Sequence, residues 1–289
     1  MKLPILLAAA FGLACVGAAA PAPAPSASTA RSAPAVKPFA PTRFSVTVQG
    51  TGPDVILIPG LTASREVWKG TVAGLPGYRY HLVQVAGFGG SPARGNAKGD
   101  VVGPLAEEIA RYIHSRGLRR PALVGHSMGG TVAMMVAARH PSLPGKVMVV
   151  DMLPQPAGIV GGDAAGLRGL ADSLRDLSST PNGRRLVESA IRLFGNPESN
   201  ADPDVTARAT HELALTDLTP ELPRIAAPLT IVYASPDPSR RAADDGRYRS
   251  AYARKRGVKL VRIDDSGHMI MYDQPARFRR ELKAFLASH

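Results

Sequence analysis

The run Gly125-His126-Ser127-Met128-Gly129 sets a serine between two glycines, directly after the apolar Ala122-Leu123-Val124 and directly before a helix-forming stretch. A strand that becomes a helix within one residue must turn its backbone sharply, and only residues almost without a side chain fit two positions to either side. The serine Oγ is then held out at the N-terminus of a helix. There the helix dipole and the free N–H of Met128 can stabilise an oxyanion. A G-x-S-x-G string alone arises by chance; the strand before it, the helix after it and Gly130 beyond tie this one to nucleophilic chemistry.

A serine hydroxyl needs a base within hydrogen-bond reach, and the chain has seven histidines. His126 lies inside the turn and is expected to point away from the site. His81, His114 and His140 fall in or beside regular elements, where a packed or solvated imidazole is the plain reading, and His289 is the last residue. His211 lies in a long helical insertion and could line a pocket. His268 differs, because it sits in Asp265-Ser266-Gly267-His268-Met269, a turn that follows the last strand-like run.

The elements that must position these groups are legible as short aliphatic runs: Phe44 to Val48, Val55 to Ile58, Tyr80 to Val85, Ala122 to Val124, Lys146 to Val150, Leu229 to Tyr233 and Lys259 to Ile263. Most are continuously apolar, as strands buried on both faces must be. Helices are expected over Ser64 to Ala73, Pro104 to Arg116, Met128 to Arg139, Ser239 to Arg256 and Gln274 to Ala287. Leu105, Ile109, Tyr112 and Ile113 recur every three to four residues, which gives a helix one apolar face. Alternating strands and helices predict an α/β fold with a mostly parallel central sheet flanked by helices. The stretch between Val150 and Leu229 is too long for one crossover helix. Its amphipathic segments Gly166 to Leu177 and Arg184 to Phe194 point to an inserted helical cap, residues 155–222.

With these motifs in place, residues 43–289 resemble the α/β-hydrolase family. Ile58-Pro59-Gly60-Leu61 is similar to the family's His-Gly-x segment, which implies that the Leu61 N–H is a second oxyanion donor beside Met128; Pro59 stands where the family often has His. Gly87-Phe88-Gly89-Gly90-Ser91 is similar to a glycine turn of the family and reads as scaffolding. The segment from Asp265 through Asp273-x-Pro275-x-x-Phe278 resembles the family's closing motif, in which the histidine completes a catalytic triad, so the resemblance implies His268 as general base. Asp237, in Ala234-Ser235-Pro236-Asp237, occupies the place of the family's G-x-x-D and is the expected acid, with Ala234 replacing the glycine. The preceding Leu222-x-x-Ile225-x-x-Pro228 also looks like the family's approach to that strand. Asp151, at the end of Val149-Val150, is the alternative, because some members carry the acid after the preceding strand. Asp264 and Asp265 are too near His268 in sequence to fold onto its nitrogen. The implied activity is hydrolysis of a carboxylic ester by a serine hydrolase through an acyl-enzyme; thioesters, lactones, amides and carbon–carbon bonds, or a ligand-binding role without catalysis, are the other readings the fold leaves open.

Composition narrows the rest. At 289 residues and 45% hydrophobic content the chain can bury a full core. Residues 1–20 begin with Lys2, run apolar from Leu3 and end in small residues, the pattern of a signal peptide cleaved near Ala18 or Ala19. An exported, periplasmic or secreted, protein is expected. Lipid attachment would use Cys15, but Gly12 stands where such signals have Leu. Residues 21–42 are rich in Pro, Ala and Ser and read as a linker. Cys15 is the single cysteine, so cleavage leaves no disulfide or thiolate chemistry. No His-Glu-x-x-His, cysteine pair, acidic loop or nucleotide loop is present, so no cofactor and no metal are expected. The net charge of +12 comes from scattered Arg and Lys, apart from Arg277, Arg279, Arg280 and Lys283, and the few aromatics do not interleave with them. Neither a nucleic-acid partner nor a stable membrane span is expected. The partner is a small-molecule ester with an apolar moiety.

Overall fold

The computed structural model describes residues 39–160, 164–183, 185 and 200–288. The expected signal peptide, most of the expected linker and the segment from Arg184 to Phe194 other than Arg185 lie outside them. Phe39 packs against the core under the Arg111 guanidinium, 5.3 Å from its ring centre. Thr42 donates to Glu108 through its N–H (3.0 Å) and hydroxyl (2.6 Å). The packed domain therefore starts a few residues before position 43.

Seven strands form one sheet: β1 Phe44–Gln49, β2 Asp54–Ile58, β3 Arg79–Val85, β4 Ala122–His126, β5 Lys146–Val150, β6 Leu229–Ser235 and β7 Lys259–Asp264. Their spatial order is β1-β3-β2-β4-β5-β6-β7, with β1 antiparallel to β3 and every other pair parallel. All seven expected strands are present. The unbroken apolar runs serve two cores. Ile56, Ile58, Leu123, Val147, Val149 and Ile231 face one, whereas Val55, Leu57, Val124, Met148, Val150 and Val232 face the other. Strand β1 (FSVTVQ) alternates instead, as an edge strand with one wet face does, and Val48 lies 50% exposed.

Helices among the described residues include α1 Lys69–Ala73, α2 Val102–Ser115, α3 Met128–Arg139, α4 Ala164–Ser178, α5 Pro203–Leu215, α6 Arg241–Ala251, α7 Ile270–Asp273 and α8 Pro275–Ala287. Helices α2 and α3 carry the first core. The second is closed by the α1 region and α8, where Trp68 stacks on Phe278 with ring centres 6.2 Å apart. Helix α6 is shorter than expected at both ends, because Pro238–Arg240 forms a separate 3-10 turn before it and Tyr252 leaves the helical backbone after it.

The expected cap contains α4 and α5, and α5 is anchored on the sheet domain. The Glu212 carboxylate accepts the N–H groups of Val101 (2.7 Å), Val102 (2.6 Å) and Gly103 (2.7 Å), the orphan donors at the start of α2. The Gly87 turn receives the other end of α5: Asp202 N–H donates to Gly87 O at 2.7 Å, and a Cβ on Gly87 would stand 2.8 Å from Val205. That glycine turn is scaffolding.

Candidate active site

Ser127 stands between β4 and α3 with φ 53° and ψ −122°, a strained conformation for a residue with a side chain. The flanking glycines let it form. A Cβ on Gly125 would meet Gly129 O at 2.0 Å, and one on Gly129 would meet Ile58 O at 2.2 Å. Real carbon atoms do not approach that closely, so each position admits only hydrogen. From Pro121 to Ala138 every residue but Ser127 is buried. Met128 opens α3, so its N–H has no intrahelical acceptor. Gly60 brings the end of β2 beside the serine; a Cβ there would lie 3.2 Å from Ser127 Cβ. Leu61 follows and lines the same cavity as Ser127.

The strand register sets the acid beside the nucleophile. Gly125 and His126 pair with Val149 and Val150, and Ser127 N–H donates to Val150 O at 2.9 Å. Ser127 and Asp151 therefore sit one step past the C-terminal ends of neighbouring parallel strands, the edge where open α/β sheets bind ligands. Asp151 has φ 51° and its N–H is held by Val232 O at 2.8 Å. Its Oδ2 lies 2.7 Å from His268 Nδ1, and its Oδ1 accepts from Ala234 N–H (3.0 Å) and the Tyr248 hydroxyl (2.8 Å). Burial pushes this carboxyl up, but the His268 contact and these two donors outweigh it and hold Asp151 below the ordinary carboxylate range. Burial, with the Asp151 charge beside it, pushes the Tyr248 hydroxyl well above the usual phenol range, so it stays a donor.

The expectation that Asp237 partners the histidine is corrected. Asp237 lies between Pro236 and Pro238 and caps the 3-10 turn, where its Oδ1 accepts Ser239 N–H at 2.9 Å and also the Ser239 hydroxyl. A carboxylate spent on its own turn, with a proline on each side fixing the chain direction, does not reach His268. Asp264 and Asp265 are engaged by arginines: Asp264 by Arg262 at 2.6 Å and Asp265 by Arg241 at 3.5 Å.

His268 follows β7 in a loop tied by Asp273, which accepts Gly267 N–H at 2.8 Å. Its side chain is 39% exposed, and with Nδ1 on Asp151 its Nε2 has no hydrogen-bond partner among the described residues. Ser127 and His268 line one cavity of about 420 Å³ but are not hydrogen-bonded to each other here; such bonds often tighten only with substrate. His126 does not point away as expected. Its ring packs on His268 with centres 4.6 Å apart, and its Nε2 meets the His268 carbonyl at 2.9 Å, with the ring nitrogen as donor. Full burial, with His268 beside it, pushes His126 down to about 3, so it is a neutral strut. Tyr248 and this role of His126 are the site features the sequence reading missed; a Tyr on a helix over 90 residues from Asp151 leaves no local signal. His81 bonds Tyr112 (2.8 Å) and Asp54 (2.9 Å), and His140 meets Glu107 at 2.9 Å. His211 lines a small separate hollow with Asp100 and Arg208. No group of His, Cys, Asp and Glu among the described residues has the geometry of a metal site, and no helix among them is long and apolar enough to cross a membrane.

Comparison with known proteins agrees with this architecture. A pimeloyl-[acyl-carrier protein] methyl ester esterase of Vibrio atlanticus is 28% identical over 228 residues, covering 69% of this chain and 83% of that protein. The enzyme of the same description from Aeromonas hydrophila is 40% identical over 101 residues, which are 34% of this chain and 38% of that one. In structure, a thermophilic esterase from Thermogutta terrifontis superposes with a TM-score of 0.68 at 21% identity, covering 84% of this chain and 92% of the other. The model of the alpha/beta hydrolase family matches residues 55–281, and the chain belongs to that family.

Proposed function

We propose that the chain is an exported serine esterase that cleaves a small carboxylic ester through an acyl-enzyme on Ser127. The observation that carries the reading is the pairing of His268 with a buried carboxylate that accepts three hydrogen bonds, beside Ser127, the one residue from Pro121 to Ala138 that is not buried. In the first step Ser127 Oγ bonds to the ester carbonyl carbon while its proton passes to His268 Nε2. Asp151 holds the tautomer with hydrogen on Nδ1 and stabilises the imidazolium. The N–H groups of Leu61 and Met128 receive the negative charge on the carbonyl oxygen. Collapse of the tetrahedral adduct breaks the bond to the alcohol oxygen, which leaves with the proton from Nε2. Water then attacks the acyl-enzyme, gives its proton to Nε2, and the free acid departs as Ser127 recovers its hydrogen.

Ester rather than amide or lactone is favoured by the similarity to the methyl ester esterases of Vibrio atlanticus and Aeromonas hydrophila. An apolar moiety is favoured by Leu61, Met152, Pro156 and Leu213, which line the cavity. The test is a panel of chromogenic esters of graded chain length, assayed with the parent and with Ser127→Ala. Hydrolysis by the parent and loss of several orders of magnitude in the folded variant are expected; a variant at near the parent rate would overturn the reading. Export rests on the composition of residues 1–20 alone, and N-terminal sequencing of protein from the native host that finds Met1 or Lys2 retained would refute it.

A further inference from the structure

The cavity over Ser127 has both apolar and charged lining, and besides Asp151 its charged residues Arg240, Asp244 and Arg247 come from α6 and the turn before it. Arg240, Asp244 and Arg247 are spaced four and three apart, as neighbours on one helix face are, and these three and Tyr248 all line the cavity. Tyr248 is committed to Asp151. Asp244 is 5% exposed, accepts the Ser235 hydroxyl at 2.9 Å and has Arg240 at 3.7 Å. Arg247 is different: it is half-buried in the cavity wall, and its guanidinium makes no ion pair or hydrogen bond among the described residues. It lies by the turn Pro156–Val160, its Nη2 3.8 Å from where a Cβ on Gly158 would stand, an ordinary contact distance. Four other arginines, Arg43, Arg79, Arg139 and Arg262, each donate to a side-chain oxygen, whereas Arg247 is set apart by lining the cavity that holds Ser127.

A guanidinium is always charged, and withdrawing it part-way from water without a partner is unfavourable. Its planar fork of donors fits a carboxylate two bonds at a time. The catalytic carboxylate is not that partner, because Asp151 is already taken by His268, Ala234 and Tyr248. The same cavity that holds Arg247 and Ser127 presents the apolar Met152, Pro156 and Leu213.

We propose that Arg247 binds an ionised carboxylate on the substrate, so that the preferred esters are monoesters of dicarboxylic acids, or esters of a carboxylate-bearing alcohol, with an apolar spacer between the two groups. This rests on the ester-hydrolase reading for the chemistry, but anion binding can be measured apart from it. Calorimetry of the Ser127→Ala protein with glutarate should give saturable binding that weakens about 10- to 100-fold when Arg247→Gln is added and is partly kept in Arg247→Lys. In turnover, the ratio of kcat/KM for mono-p-nitrophenyl glutarate to that for p-nitrophenyl pentanoate should fall by a similar factor in Arg247→Gln, chiefly through KM. For the parent that ratio should also fall as salt is raised, which serves should Arg247→Gln not fold. Equal glutarate affinity with and without Arg247, or an unchanged ratio in the variant, overturns the proposal. Glutarate binding that depends on Arg247 in a protein that cleaves neither ester would instead overturn the esterase reading and leave the anion site standing.

Discussion

Replacing Asp151 by Asn should nearly abolish turnover while leaving the fold intact. In the parent, Asp151 accepts three hydrogen bonds: two at Oδ1, from Ala234 N–H and Tyr248, and one at Oδ2, 2.7 Å from His268 Nδ1. An amide in the same place keeps its oxygen under the two fixed donors, which turns its NH2 toward His268. The imidazole must then accept at Nδ1 and carry its hydrogen on Nε2, where it can no longer take the Ser127 proton. The wrong tautomer in a Ser-His-Asp hydrolase costs on the order of 10⁴ in turnover, about 5.5 kcal/mol of barrier. Asp237→Asn should stay within about twofold of the parent, because Asn caps a turn as well as Asp does and the residue is absent from the cavity lining. The assay is kcat on a saturating chromogenic ester, with circular dichroism and a thermal melt to show that both variants are folded. A folded Asp151→Asn enzyme at near the parent rate, or a folded and inactive Asp237→Asn, would refute the assignment.

Tyr248→Phe removes one of the two donors on Asp151 Oδ1. The carboxylate becomes more basic and grips the imidazolium proton harder, so kcat should drop about tenfold and the pH midpoint of activity should move upward. A lower melting temperature with an unmoved midpoint would make Tyr248 merely structural. Acid should weaken the fold through His126. Its folded value of about 3 lies below the ordinary 6.5, so between those two pH values the unfolded chain takes a proton that the folded one refuses. That contribution is complete above pH 6.5 and is lost on acidification by up to about 1.4 kcal/mol per pH unit, and urea titrations should show the slope flatten in His126→Asn. An equal slope in parent and variant would contradict the buried neutral assignment.

Much of the architecture was legible because parallel strands buried on both faces are constrained to be apolar throughout. Strands β2, β4 and β5 carry that signature over most of their length, and the strand-to-helix turn at Ser127 carries a second one in the glycines that its close contacts require. The acid was not legible. Asp151 and Asp237 each stand just past a strand of the same sheet, and the local patterns of their types do not separate them. What separates them is the positive φ of Asp151, the prolines on either side of Asp237, and a hydroxyl supplied by Tyr248 from α6. His126 was misjudged for a related reason: the turn that presents Ser127 was visible, but the later loop that lays the His268 ring and carbonyl over His126 was not. Helix α5 also escaped, since what anchors it is the long-range contact of Glu212 with the start of α2.

The central claim is that Ser127 is an activated nucleophile served by His268 and Asp151. Incubation with a fluorophosphonate, followed by intact-mass and peptide mass spectrometry, tests it most directly. One adduct per chain is expected on the peptide containing Ser127, absent in Ser127→Ala and formed orders of magnitude more slowly in Asp151→Asn. An unlabelled parent, or an adduct on another residue that survives Ser127→Ala, would contradict the account.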